Sequence, residues 1–452
     1  MPSQPQSRVG RYRWVICALL FFATTFNYLD RQVISYLKEF FCTPAAAGGF
    51  GWTNGDFANL TSAFTAFYAG MTILAGWFVD KIGTKLGLAL SLITWSIFGI
   101  ANAFVGGLIS AHMAVRSAFA VGEAGNFPAS IKTVAEWFPK RERALATAIF
   151  NSGSNFGAMV AALFVPWCLI YFGDQRGWKM AFILTGASGF LWLLFWFWLY
   201  EPPGRQKRLS KAEYDYIHMD DDQPAGSPDG DKSKTISWWR LFSYRQLWAF
   251  FAGKFLTDGV WWFYLFWLPD YLLKQFHMTK HEVMLPTFIV YGVAIVGSIY
   301  GGSVPMRLIR RGMPVYQARM TTMLIIAMFP LVVLLTQYFG NVEHFGKLAA
   351  VLSVATICIG ATAHQAWSAN LFTTVSDMFP KKSIGSVIGI GTMAGGIGGV
   401  IVQKLAGALT DAFKQHPQTA YSIMFVFCAL SYLVAWGAMK ALVPKYRPIT
   451  DV

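Results

Sequence analysis

Four ionisable side chains stand inside stretches that are otherwise apolar: Asp30 and Arg31 in one, Arg116 and Glu123 in another. Asp30 and Arg31 fall about 18 residues into a hydrophobic run that starts near Arg13, which at 1.5 Å per residue is well inside a bilayer. A charge at the centre of a membrane costs about 2.5–3.5 kcal/mol on insertion scales, so such groups face a wet cavity and have partners. Adjacent residues on a helix point about 100° apart. Asp30 and Arg31 therefore neutralise each other poorly, and each needs its own partner or ligand; a buried structural ion pair is the competing reading. Arg116 and Glu123 are seven residues apart, two turns along one helix face. Arginine presents a planar fork that can hold a carboxylate through two parallel hydrogen bonds, which lysine cannot reproduce. A buried carboxylate favours its neutral form and a neighbouring Arg favours its charged form, so occlusion can switch a proton on or off. The chemistry these types imply is anion binding coupled to proton movement.

Further polar groups interrupt other apolar runs. Asn151, Ser154 and Asn155 lie in the fifth, His364, Gln365, Trp367 and Asn370 in the tenth and Thr392 in the eleventh. Amides and hydroxyls suit paired hydrogen bonds to sugar hydroxyls, and aromatic faces suit sugar rings. For His364 a structural helix–helix hydrogen bond stands beside the ligand reading. Lys254 and Asp258 have i,i+4 spacing in the seventh run, which permits an intrahelical salt bridge; the alternative makes Lys254 a second cation for the substrate. Trp261, Trp262, Tyr264 and Trp267 follow. They read mostly as packing or interfacial residues, with Tyr264 placed near the cavity.

The elements that must position these groups are membrane helices. The chain has 452 residues, 55% hydrophobic and 13% charged, against about 25% charged in soluble domains. Twelve apolar segments fall near 13–36, 57–79, 86–106, 109–136, 142–171, 178–200, 246–275, 283–303, 315–337, 346–376, 384–412 and 419–442, each about the length that spans a bilayer core. The expected fold is all-α: a six-helix bundle over 1–200, a cytoplasmic linker over 201–245 and a second six-helix bundle over 246–452. The linker carries Pro202-Pro203-Gly204 and Asp220-Asp221-Asp222, a composition that buries too little to fold alone. A short amphipathic helix over Ser210–His218 is expected within it. With both termini and the linker on one side, that side holds 25 of the 37 Lys and Arg residues and the other holds eight. This excess puts both termini in the cytoplasm. The net charge of +14 is thereby read as loop charge, with the lipid bilayer and not nucleic acid as partner. The polar start Met1–Arg13 carries no cleavage pattern, so the first run is expected to remain as a helix. Five scattered cysteines show no metal-ligand spacing, so neither disulfides nor a metal site are expected. Nothing supplies an enzyme's nucleophile–base constellation.

The halves echo each other. Phe138-Pro139-Lys140 and Phe379-Pro380-Lys381 are 241 residues apart, as are Asn151 and Thr392, and Gly157 and Gly398. Repeated six-helix halves place a substrate between them near mid-bilayer.

On these residues a resemblance can be stated. The loop Gly76-Trp77-Phe78-Val79-Asp80-Lys81-Ile82-Gly83-Thr84-Lys85 resembles the signature loop of the major facilitator superfamily, between its second and third helices. Gly301-Gly302-Ser303 with Arg307, Arg310, Arg311 and Gly312 is a weaker echo. Asn27-Tyr28-Leu29-Asp30-Arg31, Arg116 with Gly122-Glu123-Ala124, Trp137-Phe138-Pro139 and Glu142-Arg143-Ala144 follow in the order of the anion:cation symporter branch, and resemble its bacterial sugar-acid and hexuronate members. The resemblance implies proton coupling at Asp30 and Glu123, carboxylate binding at Arg31, a gating or tuning role for Arg116 beside the cavity, and substrate contacts at Tyr28 and Tyr68. Relatives that take linear sugar acids often carry an amide where this chain has Ser154 and an Asn where it has Thr392. The run His364–Asn370 is more similar to the hexuronate members. The implied activity is proton-coupled import of a sugar carboxylate, a hexuronate foremost, across a bacterial inner membrane by a monomer, with no cofactor beyond H+. An aldonate such as galactonate, another organic anion, sodium coupling and exchange stay open, as does which acid takes the proton first. In the signature loop, Asp80 with Lys81, Lys85 and Arg143 can form an inner charge lock, while Gly76 and Gly83 allow close approach and a tight turn.

Overall fold

The structure, a computed structural model, describes residues 9–219, 238–379, 384–445, Arg447 and Ile449. Asp220–Asp222 of the linker and Pro380 and Lys381 of the repeat lie outside the described residues.

The helices used below are α1 (Tyr12–Tyr36), α2 (Asn54–Ile82), α3 (Thr84–Ala101), α4 (Ile109–Glu123), α5 (Asn126–Trp137), α6 (Lys140–Phe172), α7 (Asp174–Leu199), α8 (Lys211–Ile217), α9 (Arg245–Phe276), α10 (Met284–Arg310), α11 (Val315–Met328), α12 (Leu348–Met378), α13 (Ile384–Ala412) and α14 (Pro417–Leu442). Among the described residues, ten helices are long and apolar enough to cross a membrane. The remaining two of the twelve expected segments are helical as well. The fourth is divided into α4 and α5, and the seventh is the 32-residue α9, which carries Lys254, Asp258, Asp270 and Lys274.

The division of the fourth segment follows from packing. A Cβ on Gly122 would stand 2.5 Å from the Trp95 backbone nitrogen, and one on Gly125 2.0 Å from Ser91 Oγ. The chain is drawn against α3 there and leaves the helix at Ala124. The ninth segment also departs from one continuous helix. It turns to a 3-10 helix over Phe329–Leu335, where Pro330 has no N–H to give the α-helical ladder.

Pseudo-symmetry is built into the tightest contacts. A Cβ on Gly157 would come 2.3 Å from Thr25 O of α1, and one on Gly398, 241 residues later, 2.0 Å from Phe255 O of α9. Small residues let helix backbones meet in a membrane, where packing replaces the hydrophobic driving force. The halves meet where α2 packs on α13, α6 on α10 and α1 on α9. Large apolar side chains such as Leu191, Leu194, Phe195 and Trp198 on α7 stay exposed, as a lipid-facing surface requires.

The expected surface helix forms as α8. Its Ser210 hydroxyl accepts from Glu213 N at 3.2 Å, and Glu213 in turn accepts from the first free N–H groups of α1, Tyr12 N at 3.0 Å and Arg13 N at 3.1 Å. The carboxylate thus caps a helix start, where negative charge is favoured.

Candidate functional site

α1 carries Tyr28, Asp30 and Arg31, and brings Arg31 to Trp262 of α9. Arg31 is fully buried, and its Nε donates to Glu123 Oε2 at 3.1 Å. Its guanidinium lies over four rings: Tyr28 at 4.4 Å, Tyr68 at 4.5 Å, Phe64 at 5.4 Å and Trp262 at 5.5 Å. Three of these rings come from the N-terminal half and Trp262 from α9. Such faces attract a desolvated cation by about 2 kcal/mol or more.

Arg116 approaches Arg31 from the other end. Its Nη2 donates to the Arg31 carbonyl oxygen at 3.1 Å, and its guanidinium covers Phe119 at 4.4 Å and Phe64 at 5.1 Å. The two α4 charges therefore clamp one residue, Arg116 by its backbone and Glu123 by its side chain. Arg116 and Glu123 are joined through Arg31.

Asp30 turns away from Arg31, towards Trp95 of α3 and Thr185 of α7. The Thr185 hydroxyl is committed to Ala181 O at 2.9 Å, and neither Asp30 oxygen has a hydrogen bond among the described residues. Glu123 Oε1, Arg116 Nη1, Asn27 Nδ2 and Trp95 Nε1 are likewise buried without a partner. So many unmet polar atoms around two acids are costly unless a proton or a ligand engages them. Asp30 and Glu123 occupy different surroundings: Glu123 reads the state of Arg31, and Asp30 does not touch it.

The C-terminal half presents a second set. Lys254 Nζ pairs with Asp258 Oδ2 at 2.6 Å and lies 4.8 Å from the Phe372 ring centre. His364 Nδ1 lies 2.8 Å from Tyr432 Oη, and its ring stacks on Trp261 at 5.0 Å, with Trp367 edge-on to Tyr432. Gln365 Nε2 donates to Asn155 Oδ1 at 3.3 Å, which joins the halves through two of the expected site residues. Other residues bond to backbone carbonyls, of a neighbouring helix or of their own. Asn370 Nδ2 donates to Gly301 O and Ala366 O, both at 2.9 Å, and so holds α10 to α12. The Ser154 and Thr392 hydroxyls donate to Asn151 O at 2.7 Å and Ile388 O at 3.0 Å.

Tyr264, expected beside the cavity, is placed differently. Its ring is buried, and its hydroxyl lies where a Cβ on Gly360 would come to 2.8 Å, with Cys428 at hand inside the C-terminal bundle. Two residues along a helix turn the side chain by about 200°. Since Trp262 faces Arg31, Tyr264 faces the opposite way.

The signature loop closes α2 on Gly83 at φ 86°, a left-handed value that glycine adopts without strain. Lys81 Nζ lies 5.2 Å over Trp77, Lys85 pairs with Glu201, and Arg143 donates to Phe138 O at 2.9 Å and Ala135 O at 2.8 Å. The Asp80 side chain lies outside the described residues. Among the described residues nothing stands within 4 Å of a Cβ placed on Gly76, so the close approach expected there is not made by them in this conformation.

Contacts that close the opposite face were not anticipated from the sequence. Lys38 Nζ reaches Asp270 Oδ2 at 2.5 Å, with Lys274 Nζ at 3.1 Å and the Tyr421 hydroxyl on the same oxygen. Asp411 accepts from Asn54 N at 3.2 Å and Gly55 N at 2.6 Å at the start of α2, and Lys280 pairs with Asp174 at 2.5 Å. The Lys38–Asp270, Asp411–Asn54/Gly55 and Lys280–Asp174 contacts join one half to the other. The available signal was charge near the end of an apolar segment, Lys38 just beyond the first and Asp270 inside the seventh.

Two pseudo-symmetric helical bundles with a buried Arg31–Glu123 pair where they meet are the architecture of a multi-pass membrane transporter, and the family and relatives below are transporters and not enzymes. The chain belongs to the Major Facilitator Superfamily, whose family model matches residues 20–403. It is 28% identical over 434 residues to the "Hexuronate transporter" of Escherichia coli (strain K12), covering 96% of this chain and 95% of that protein. It is 32% identical over 303 residues to the "Galacturonate transporter" of Dickeya chrysanthemi, covering 66% and 83%. The "D-galactonate transporter" of Escherichia coli O6:H1 is 28% identical over 442 residues, covering 96% and 98%. Among solved structures, a D-xylose-proton symporter superposes with a TM-score of 0.74 at 14% identity over 97% of this chain and 100% of its own. A bacterial homolog of the lysosomal transporter Spinster does so with 0.72 at 18%, over 98% and 100%. These two likenesses concern the fold.

Proposed function

We propose that this protein imports a sugar carboxylate, a hexuronate such as galacturonate or glucuronate, together with a proton, as a monomer in the bacterial inner membrane with both termini in the cytoplasm. One observation carries the reading: the Arg31 cation is held by Glu123 inside an aromatic enclosure formed by both halves. A substrate carboxylate offers Arg31 a better, two-pronged partner than one Glu123 oxygen. Once displaced, Glu123 is a buried charge without its cation, a costly state relieved by taking a proton. Substrate and proton then bind together and leave together. Asp30, beside Trp95 and apart from Arg31, serves as a second proton station. Ser154, Asn155, Gln365, Trp367 and Thr392 grip hydroxyls as the halves alternate, and the Lys254–Asp258 pair offers a further cation from the C-terminal half. The hexuronate and galacturonate relatives support this substrate class. The galactonate relative supports an aldonate as the second choice.

The test is uptake of labelled galacturonate into proteoliposomes. An inward proton gradient should drive accumulation that a protonophore abolishes, with glucuronate competing and glucose not. Accumulation driven equally by sodium, or gradient-independent exchange, would refute the coupling.

A further inference from the structure

Among the described residues, Trp262 is the one wall of the Arg31 enclosure contributed by the other half of the molecule. Its ring centre lies 5.5 Å from the guanidinium carbon, and it meets Phe64 at 6.1 Å and Tyr68 at 6.2 Å, both edge-on across the seam. Its placement is fixed from behind. Gln403 Nε2 of α13 donates to the Trp262 carbonyl oxygen at 3.1 Å, and Phe266 stacks on the indole at 5.7 Å. A Cβ on Gly399 would come 2.6 Å from Trp262 Cδ1 and 3.0 Å from Nε1, so the indole leans directly on α13. Among the described residues the indole N–H has no hydrogen-bond partner, whereas Trp267 Nε1, a neighbour on α9, is committed to Gln403 Oε1 at 2.6 Å. Trp262 therefore combines a buried aromatic face with an uncommitted donor, directly over the group that binds carboxylate.

We propose that Trp262 is a specificity-determining residue that selects ring-closed sugar acids over linear ones; this rests on the reading of Arg31 as the carboxylate site. A pyranose presents a rigid face of C–H groups beside its carboxylate. With the carboxylate on Arg31, that face lies against the indole, and a ring hydroxyl takes the indole N–H. An aromatic face gains most from a flat, preformed apolar surface. A linear aldonate must freeze several torsions to offer one, and that entropy offsets the contact. Because Trp262 moves with α9 and α13 while Arg31 moves with α1, a substrate lying between them also ties the halves together.

The experiment measures binding of galacturonate and of linear galactonate to the purified wild type and to Trp262→Leu and Trp262→Phe, with melting temperature as the folding control. Trp262→Leu should weaken galacturonate by roughly tenfold or more, as loss of a stacked aromatic contact does, and galactonate by less than about threefold. Trp262→Phe, which keeps the face and loses the donor, should recover most of the galacturonate affinity. Equal losses for both ligands would show that Trp262 merely props Arg31 and would overturn the proposal, as would no loss for either. Wild type that binds galactonate but not galacturonate overturns it while leaving the carboxylate site standing. Wild type that binds neither overturns the functional reading first and this inference with it.

Discussion

Lys38 of the N-terminal half and Asp270 of the C-terminal half meet at 2.5 Å, both buried, with the Lys38 ammonium 4.1 Å over the ring of Trp267. The pair fastens α1 to α9 on the face opposite the chain termini, so any motion that opens that face must break it. Removing one partner of a buried pair leaves an uncompensated charge and costs about 3–5 kcal/mol, whereas replacing both by apolar groups is often neutral. Asp270→Leu should therefore lower the melting temperature by several degrees, and Lys38→Met/Asp270→Leu should restore most of it. The double variant should also expose the opposite face, read as faster labelling of a cysteine introduced at Thr410 by a membrane-impermeant maleimide. Equal melting temperatures for single and double variants, with unchanged labelling, would remove the latch from the account.

Arg31 makes a side-chain hydrogen bond to Glu123 and lies over four rings. Lysine keeps the charge but loses the planar fork and the stacking. Arg31→Lys should cut hexuronate affinity by about a hundredfold, within the range of a charge-assisted bidentate contact, while the protein still folds. Titration calorimetry on the purified variant checks this; wild-type affinity would disprove the carboxylate role.

The proposed proton coupling rests on two acids in different surroundings, Glu123 on Arg31 and Asp30 beside Trp95 and Thr185, with the Arg116 charge acting on both. In the wild type, lowering the outside pH should raise uptake, because protons enter with substrate. Glu123→Gln should still exchange labelled for unlabelled substrate yet lose the pH response, since the amide keeps an oxygen for Arg31 but takes no proton. Asp30→Asn should lose the same response with a smaller effect on affinity, because Asp30 lies away from Arg31 beside Trp95 and Thr185. Full pH-driven uptake in the Asp30→Asn/Glu123→Gln double variant would end the proposal.

Among the described residues nothing fills the space where a Cβ on Gly76 would go, while Gly83 sits at φ 86°. Gly76→Leu should leave the melting temperature unchanged yet slow transport, because the missing neighbour arrives only when the face bearing the termini closes. Gly83→Ala should cost about 1–3 kcal/mol of stability, because φ 86° with ψ 159° lies in a backbone region essentially reserved for glycine. Thermal unfolding and initial uptake rates separate the two; wild-type transport by Gly76→Leu would argue against close approach at that loop.

The sequence by itself determined the membrane class, the paired bundles and the intramembrane charges. Apolar length, Lys and Arg asymmetry and the cost of a buried charge are local or additive quantities. It also put Asp30 and Arg31 in different directions, because helical geometry fixes 100° per residue. Tertiary structure alone decided the partners. Arg31 pairs with Glu123, 92 positions away, and Arg116 reaches the Arg31 carbonyl oxygen instead of Glu123. Trp262 faces the site where Tyr264 was expected, a matter of which side of α9 meets α1. Nothing in the sequence links Lys38 to Asp270, 232 positions away; the packing of the two halves brings them together. Periodicity reports which face of a helix is apolar, but nearly every face of these helices is apolar. Only the packing of one helix against another selects the few polar groups that turn to each other.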